Sequence, residues 1–168
     1  MTPEHEVEGW YRAHYWAVTR YVARRLTDQP EDVRDVVAEV FATAWRRRSA
    51  VPPEVLPWLY GVAANVLANE RRRRARSTRL AERLAREPAG PEQPPELPDA
   101  VDRAMAQLSD ADREVLRLAA WEQLTTDELA LALRCSRSAA AMRLSRARTR
   151  LRERLAASPT TASLRGTP

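Results

Sequence analysis

The fold is decided by residues 125–148, TTDELALALRCSRSAAAMRLSRAR. Thr125, followed by Asp127 and Glu128, has the form of a helix start: a hydroxyl that can cap, then acids where the helix dipole is positive. Leu129, Ala132 and Leu133 fall on one helical face. Arg134, Cys135 and Ser136 leave room only for a tight turn, and Ser136 can cap the helix that follows. That last helix runs to about residue 155 and carries Arg137, Arg143, Arg146, Arg148, Arg150, Arg152 and Arg154. Helix, short turn and capped second helix form the layout of a DNA-reading helix-turn-helix. Ala130 supplies the small side chain that crossing helices need, and Cys135 a small apolar group for the turn. Arg143 and Arg146 lie three apart on one face, and Arg suits bidentate contact with guanine. Ser136 and the first backbone N–H groups can hold a phosphate. A charge run alone reads first as a solvated face; the turn ahead of it shifts the reading to DNA.

Upstream, Asp99 opens the same unit. Val101, Met105 and Leu108 predict one short helix, and Ser109 or Asp110 can cap the next, whose apolar positions are Val115, Leu116, Leu118 and Ala119. Before this unit the chain turns Pro-rich, reading EPAGPEQPPELP over residues 87–98, which is a linker composition. Ahead of the linker three more helices are predicted. The first carries the stripe Val7, Trp10, His14, Val18 and Tyr21. The second starts at Gln29-Pro30-Glu31-Asp32, with Pro and acids in its first turn, and buries Val33, Val36, Val37, Val40, Phe41 and Ala44. Residues 49–57 hold Pro52, Pro53 and Pro57 and read as a loop. The third helix, about 58–76, buries Leu59, Val62, Ala63 and Val66. Opposite that face stand Asn65, Asn69, Arg72 and Arg76. Asn is a poor helix former, and its amide offers both a donor and an acceptor to a base edge. Arg71, Arg72, Arg73 and Arg74 form an unbroken run suited to phosphates.

The expected architecture is therefore all-α: a helical bundle over residues 1–79, a Pro-rich linker over 80–100, a helix-turn-helix unit over 101–155, and a small polar tail over 156–168. The 168 residues carry a net charge of +5, all 28 basic residues are Arg, and neither Lys nor Ile occurs. A coding bias toward Arg explains part of that total, so position has to carry the argument. Residues 1–79 hold 14 Arg against 10 acids, 80–100 hold 2 against 5, and 101–155 hold 11 against 8. Two basic units flank an acidic spacer, which uniform bias would not produce. Cys135 is the single cysteine, which excludes an internal disulfide, and with only His5 and His14 no metal-ligand spacing arises. No cofactor is expected. No nucleophile–base constellation or phosphate-cradling Gly loop points to an enzyme. The N-terminus is acidic and lacks an apolar core, and no apolar run approaches membrane length, so no membrane insertion is expected and the cytoplasm is the expected location.

Three stretches together resemble the extracytoplasmic-function (ECF) sigma factors of the sigma-70 superfamily. Residues 31–41, EDVRDVVAEVF, with Ala44-Trp45, look like that family's core-polymerase-binding helix. Residues 58–65, WLYGVAAN, with Asn69 and the Arg run, are similar to its promoter-melting helix. Leu108, Arg113 to Leu116, Thr126 to Ala130, Ser136 and residues 143–148 resemble its region four. The match spans about 7–155. It implies a region two that binds the clamp helices of the polymerase largest subunit through Asp32, Asp35, Glu39 and Phe41. Asn65, Asn69, Arg71, Arg72, Arg73, Arg74 and Arg76 would engage and melt the −10 element. Region four would read the −35 element through Ser136, Arg137, Ser138, Ala141, Met142, Arg143 and Arg146, and would seat on the polymerase flap. Core RNA polymerase, promoter DNA and an anti-sigma protein are the implied partners. The sequence departs from the family where Gly is frequent (Arg134), where a basic residue is frequent (Ala141) and where Ser is frequent (Met142). The other reading of the residues is a stand-alone helix-turn-helix regulator.

Overall fold

A computed structural model describes residues 3–27, 29–84 and 99–157; the expected linker core and the tail beyond 157 lie outside the described residues. Seven α-helices and no strand occur among them: α1 Pro3–Ala23, α2 Val33–Arg46, α3 Val55–Leu84, α4 Ala100–Ala106, α5 Asp110–Ala120, α6 Thr126–Leu133 and α7 Arg137–Ala157. The all-α, two-domain expectation is met, with α1–α3 in the first domain and α4–α7 in the second.

The first domain folds around the stripes read from sequence. Val18, Tyr21 and Val22 of α1, Val36, Val37, Val40, Phe41 and Ala44 of α2, and Leu59, Val62, Ala63 and Leu67 of α3 are buried together. A 3-10 turn, Pro30–Asp32, with Pro at its first position, feeds α2; Pro has no N–H to lose there. The segment expected as a loop over 49–57 is shorter than that. A 3-10 turn covers Arg48–Ala50 and α3 already begins at Val55. Pro57 is buried inside the first turn of α3, where backbone N–H groups lack intrahelical acceptors and Pro costs little. α3 also runs to Leu84, beyond the expected end at 76 and into the first residues assigned to the linker.

The second domain is organised by caps. Asp99 accepts from the Asp102 N–H, and Ser109 from the Asp112 N–H. Thr125 and Glu128 form a full capping box at α6. The expected apolar face of α4 is partly corrected: Val101 is 49% exposed, while Ala104 is buried. Leu108 is buried but stands past the end of α4. α5 and α6 pack on α7 through Val115, Leu118, Leu129, Ala140, Leu144 and Ala147.

The two domains are not held apart. α3 packs directly on α6, and one continuous apolar core runs through both domains. At the crossing, a methyl group on Gly61 would stand 2.6 Å from the carbonyl oxygen of Ala132. Only glycine lets the two backbones come this close.

Candidate nucleic-acid interface

α6 ends in a left-handed residue. Arg134 has φ 52° and ψ 50°, the conformation that Gly adopts without penalty. The Cys135 N–H donates to the Ala130 carbonyl at 3.0 Å, and the Arg134 N–H to that of Leu131 at 3.2 Å. This closes the tight turn expected at 134–136. Ser136 caps α7 by accepting from the Ala139 N–H at 3.2 Å. Cys135 is half-buried in the turn.

The turn sets which side of α7 faces outward. Ala140, Leu144 and Ala147 are buried, whereas Ser136, Arg137, Ser138, Ala141, Met142, Arg143 and Arg146 are all exposed. Met142 is 50% exposed, and Leu144 faces the core. Arg137 pairs with Asp127 at 2.9 Å and Arg150 with Asp112 at 2.8 Å. Among the described residues no acid pairs with Arg143 or Arg146. Both guanidinium groups are left to the solvent side.

The first-domain candidates gather differently. Glu39, Thr43, Arg46 and Arg47 at the end of α2 face Asn65, Asn69, Glu70 and Arg73 of α3 around one cavity of about 610 Å³, which Arg134 of the second domain also lines. Asn65 and Asn69 are exposed along it, and Asn69 accepts from Arg72 at 2.5 Å. The Arg run is not free. Glu70 accepts from Arg73 at 2.6 and 3.0 Å and from Arg74 at 2.8 Å, and Arg74 also pairs with Asp32. Hydrogen bonds from Arg73, then Arg74, pull the Glu70 carboxyl down to about 2. Arg71 approaches Asp110 of α5 at 3.8 Å. Arg72 and Arg76 are exposed, and Arg76 reaches back to the Arg72 carbonyl.

Of the α2 candidates, Asp35 is exposed, Asp32 is engaged by Arg74, and Glu39 is paired with Arg46 at 2.6 Å. The hydrogen bond from Arg46 holds the Glu39 carboxyl below the usual carboxylate range. Phe41 is buried, its ring edge-on to Tyr11 with centroids 4.9 Å apart. It therefore supports α2 from within.

Glu70 was missed in the sequence reading. Its spacing of three and four residues before Arg73 and Arg74 is the ion-pair spacing of a helix surface and was the available signal. The groups joining the two domains were also missed. Tyr21 donates to Glu114 at 2.5 Å, and Arg25 donates to Glu114 at 2.9 and 3.1 Å and to Glu122 at 3.4 Å. No local pattern marks these partners.

Comparison with known proteins now bears on this geometry. The sigma-70 region 2 family matches residues 10–77, and the sigma-70 region 4 family matches 99–151. The RNA polymerase sigma-E factor of Streptomyces coelicolor is 33% identical over 163 residues, covering 90% of this chain and 87% of that one. The sigma factor RpoE of Bartonella quintana, solved with the anti-sigma factor NepR, superposes with a TM-score of 0.62 at 19% identity, over 91% of this chain and 98% of that one. CnrH, solved with the cytosolic domain of CnrY, gives 0.59 at 25% identity, over 92% and 90%. A chain with these two regions in this order is a transcription initiation factor rather than an enzyme. It belongs to the sigma-70 family, as a factor of the ECF type. The stand-alone regulator is not favoured, because the first domain is itself a sigma region. Among the described residues no helix is long and apolar enough to cross a membrane.

Proposed function

We propose that this sigma factor divides promoter recognition between its two Arg-bearing helices, with residues 1–79 acting as region two and 101–155 as region four. α7 enters the major groove of the −35 element. Arg143 and Arg146 contact base edges, Ala141 and Met142 make apolar contact, and Ser136, Arg137 and Ser138 fix the helix start on phosphate. α3 engages the −10 element. Asn65 and Asn69 hold bases of the separating strand, while Arg71, Arg72, Arg73, Arg74 and Arg76 follow its phosphates. The acids of α2, with Asp35 outermost, meet the clamp helices of the polymerase largest subunit, Phe41 keeps α2 seated, and region four seats on the flap. The observation that carries this reading is the outward row on α7: every expected −35 residue is exposed, and the alternating small and apolar residues are buried.

An anti-sigma protein is the expected regulatory partner. RpoE of Bartonella quintana was solved with the anti-sigma factor NepR, and CnrH with the cytosolic domain of CnrY. The working location is the cytoplasm, where polymerase and promoter are.

The deciding experiment adds the purified chain to core RNA polymerase with a genomic template pool and maps run-off transcripts. Promoter-specific transcripts are expected. Duplex binding by the chain alone without such transcripts would return the stand-alone regulator. The Asn65→Ala substitution separates melting from docking: open-complex formation, read by permanganate reactivity, falls while core association holds. A parallel fall in core association would make Asn65 structural.

A further inference from the structure

A cavity of about 260 Å³ lies between α3 and α5, apart from the outward row of α7. α3 lines it with Ala64, Leu67, Ala68 and Arg71, and α5 with Asp110, Arg113, Glu114 and Arg117. Each set follows the three, four and seven spacing of a single helical face. Arg25, just past the end of α1, also lines it and has a side chain only 2% exposed. On the α3 side the two alanines leave room and bring no polar group.

Four guanidinium groups share this space with two carboxylates, which leaves two positive charges in excess. Both carboxylates are already engaged. Glu114 accepts from Tyr21 at 2.5 Å and from Arg25 at 2.9 and 3.1 Å. Asp110 accepts from Arg113 and stands 3.8 Å from Arg71, too far for a hydrogen bond. Arg25 is satisfied in turn by Glu114, Glu122 and the Tyr21 carbonyl.

Arg117 is the exception. Its Nε is buried without a protein acceptor, and among the described residues no carboxylate pairs with it. Its guanidinium lies 5.2 Å from the Trp121 ring centroid, which balances part of the charge and leaves Nε unmet. Burial, then the charge of Arg25, lowers the Arg117 pKa, and Arg113 and Arg71 act in the same direction against Glu114. The three cations that share the cavity with Arg117 are therefore the ones that repel it. A buried donor in that position costs its full desolvation.

The acceptor that suits Arg117 follows from charge and space. A water molecule would meet Nε and leave both excess charges. A chloride ion would cancel one of them. A tetrahedral oxyanion of charge two cancels both and offers oxygens to α3 and α5 at once, and guanidinium forks match such oxygens in pairs. At about 260 Å³ the space falls below the roughly 300–1,000 Å³ of small-molecule sites, which favours an inorganic ion over a nucleotide.

We propose that this cavity is a binding site for inorganic phosphate, with Arg117 supplying the inner donor and Arg113 and Arg71 the outer ones. The side chains of Arg113 and Arg71 are 27% and 57% exposed, so the ion enters from their side. By bridging α3 and α5 it links the stability of the chain to phosphate concentration. It also gives Arg71 a task apart from the strand-binding run.

The test uses the full chain without DNA or polymerase, so its failure leaves the proposed sigma roles untouched. Inorganic phosphate is titrated by calorimetry at about pH 8, where it is a dianion. The melting temperature is followed in parallel against sodium chloride of equal ionic strength. Saturable binding of one phosphate per chain is expected, with a melting temperature that climbs with the logarithm of phosphate and not with chloride. Arg117→Gln should weaken binding at least tenfold. Arg117→Met should do the same while holding or raising the melting temperature in phosphate-free buffer, because it removes a stranded buried charge. Arg113→Gln, at a less buried position, should repeat the loss and decides the matter if the Arg117 variants lose helicity. Arg152→Gln, on the exposed side of α7, should bind as the parent does. Dimethyl phosphate, a monoanionic diester, should bind at least tenfold more weakly, and equal binding would overturn the dianion assignment. Absent or unsaturable binding, a chloride effect of the same size, or undiminished binding in Arg117→Gln and Arg113→Gln overturns the site.

Discussion

α3 and α7 carry the same basic side chain at similar density, yet the structure treats Arg143 and Arg146 of α7 and Arg73 and Arg74 of α3 in opposite ways. On α7, Arg143 and Arg146 look outward with no acid against them among the described residues, over a seat of Ala140, Leu144 and Ala147. On α3, Arg73 and Arg74 are taken by Glu70, and Arg74 also by Asp32. The first arrangement suits rigid duplex, whose phosphates and base edges are already in place. The second suits a strand that has to be captured, because phosphates must displace a carboxylate before the Arg groups engage. The lesson is that a run of Arg does not define a surface charge; the acids three and four residues away do.

The comparison breaks most completely if the seat of α7 is removed. Leu144→Ala should destabilise the second domain by about 2–5 kcal/mol through lost burial and the cavity left behind. Denaturant unfolding would show it, and a loss under 1 kcal/mol would mean that the outward row is not held by that core. Arg146→Ala is next. It should cost about 1–3 kcal/mol of −35 discrimination if it meets a base, measured as holoenzyme binding to native against scrambled elements. Equal weakening on both would assign it to phosphate.

A smaller effect concerns the turn that aims α7. Arg134→Gly removes a left-handed non-glycine residue and should raise stability by about 1 kcal/mol, seen as a higher melting temperature, with −35 selectivity unchanged. A fall in stability would show that the Arg134 side chain does more than tolerate its backbone.

The smallest effect tests the held state of α3. In the intact protein the Glu70 carboxyl should titrate near pH 2, and Arg73→Ala with Arg74→Ala should return it toward the ordinary 4.5 in a carbon-detected titration. The sign follows from linkage: a depressed carboxyl contributes stability that is full above about 4.5 and fades as the pH falls toward about 2. Glu70→Gln, by freeing Arg73 while Arg74 keeps its pair with Asp32, should steepen the salt dependence of single-strand binding by about one unit of slope. No change in slope would place the Arg run off the DNA path.

Much of this molecule could be read in order along the chain. The helix faces of α1, α2 and α5, the capping box at Thr125, the turn at 134–136 and the outward row of α7 all rest on interactions within one or two turns, and local spacing encodes those. The early start of α3 at Val55 was hidden because Pro57 reads as a breaker, although the first turn of a helix tolerates it. Val101 misled for a related reason, since a three-residue stripe of which only two positions fall on a seven-residue helix leaves too few positions to fix which side is buried. Glu70 was legible by spacing but masked by the stronger signal of the Arg run.

The sequence by itself determined the two helical units, the layout of the DNA-reading turn and the side chains that α7 offers, because each follows from periodicity and capping. Only the tertiary structure decided which Arg groups are free, and that the two units close on each other. Arg25 and Glu114 lie 89 residues apart, and Gly61 meets Ala132 from another domain. Such pairings are chosen by the complementarity of two finished surfaces, which no local pattern in either one contains.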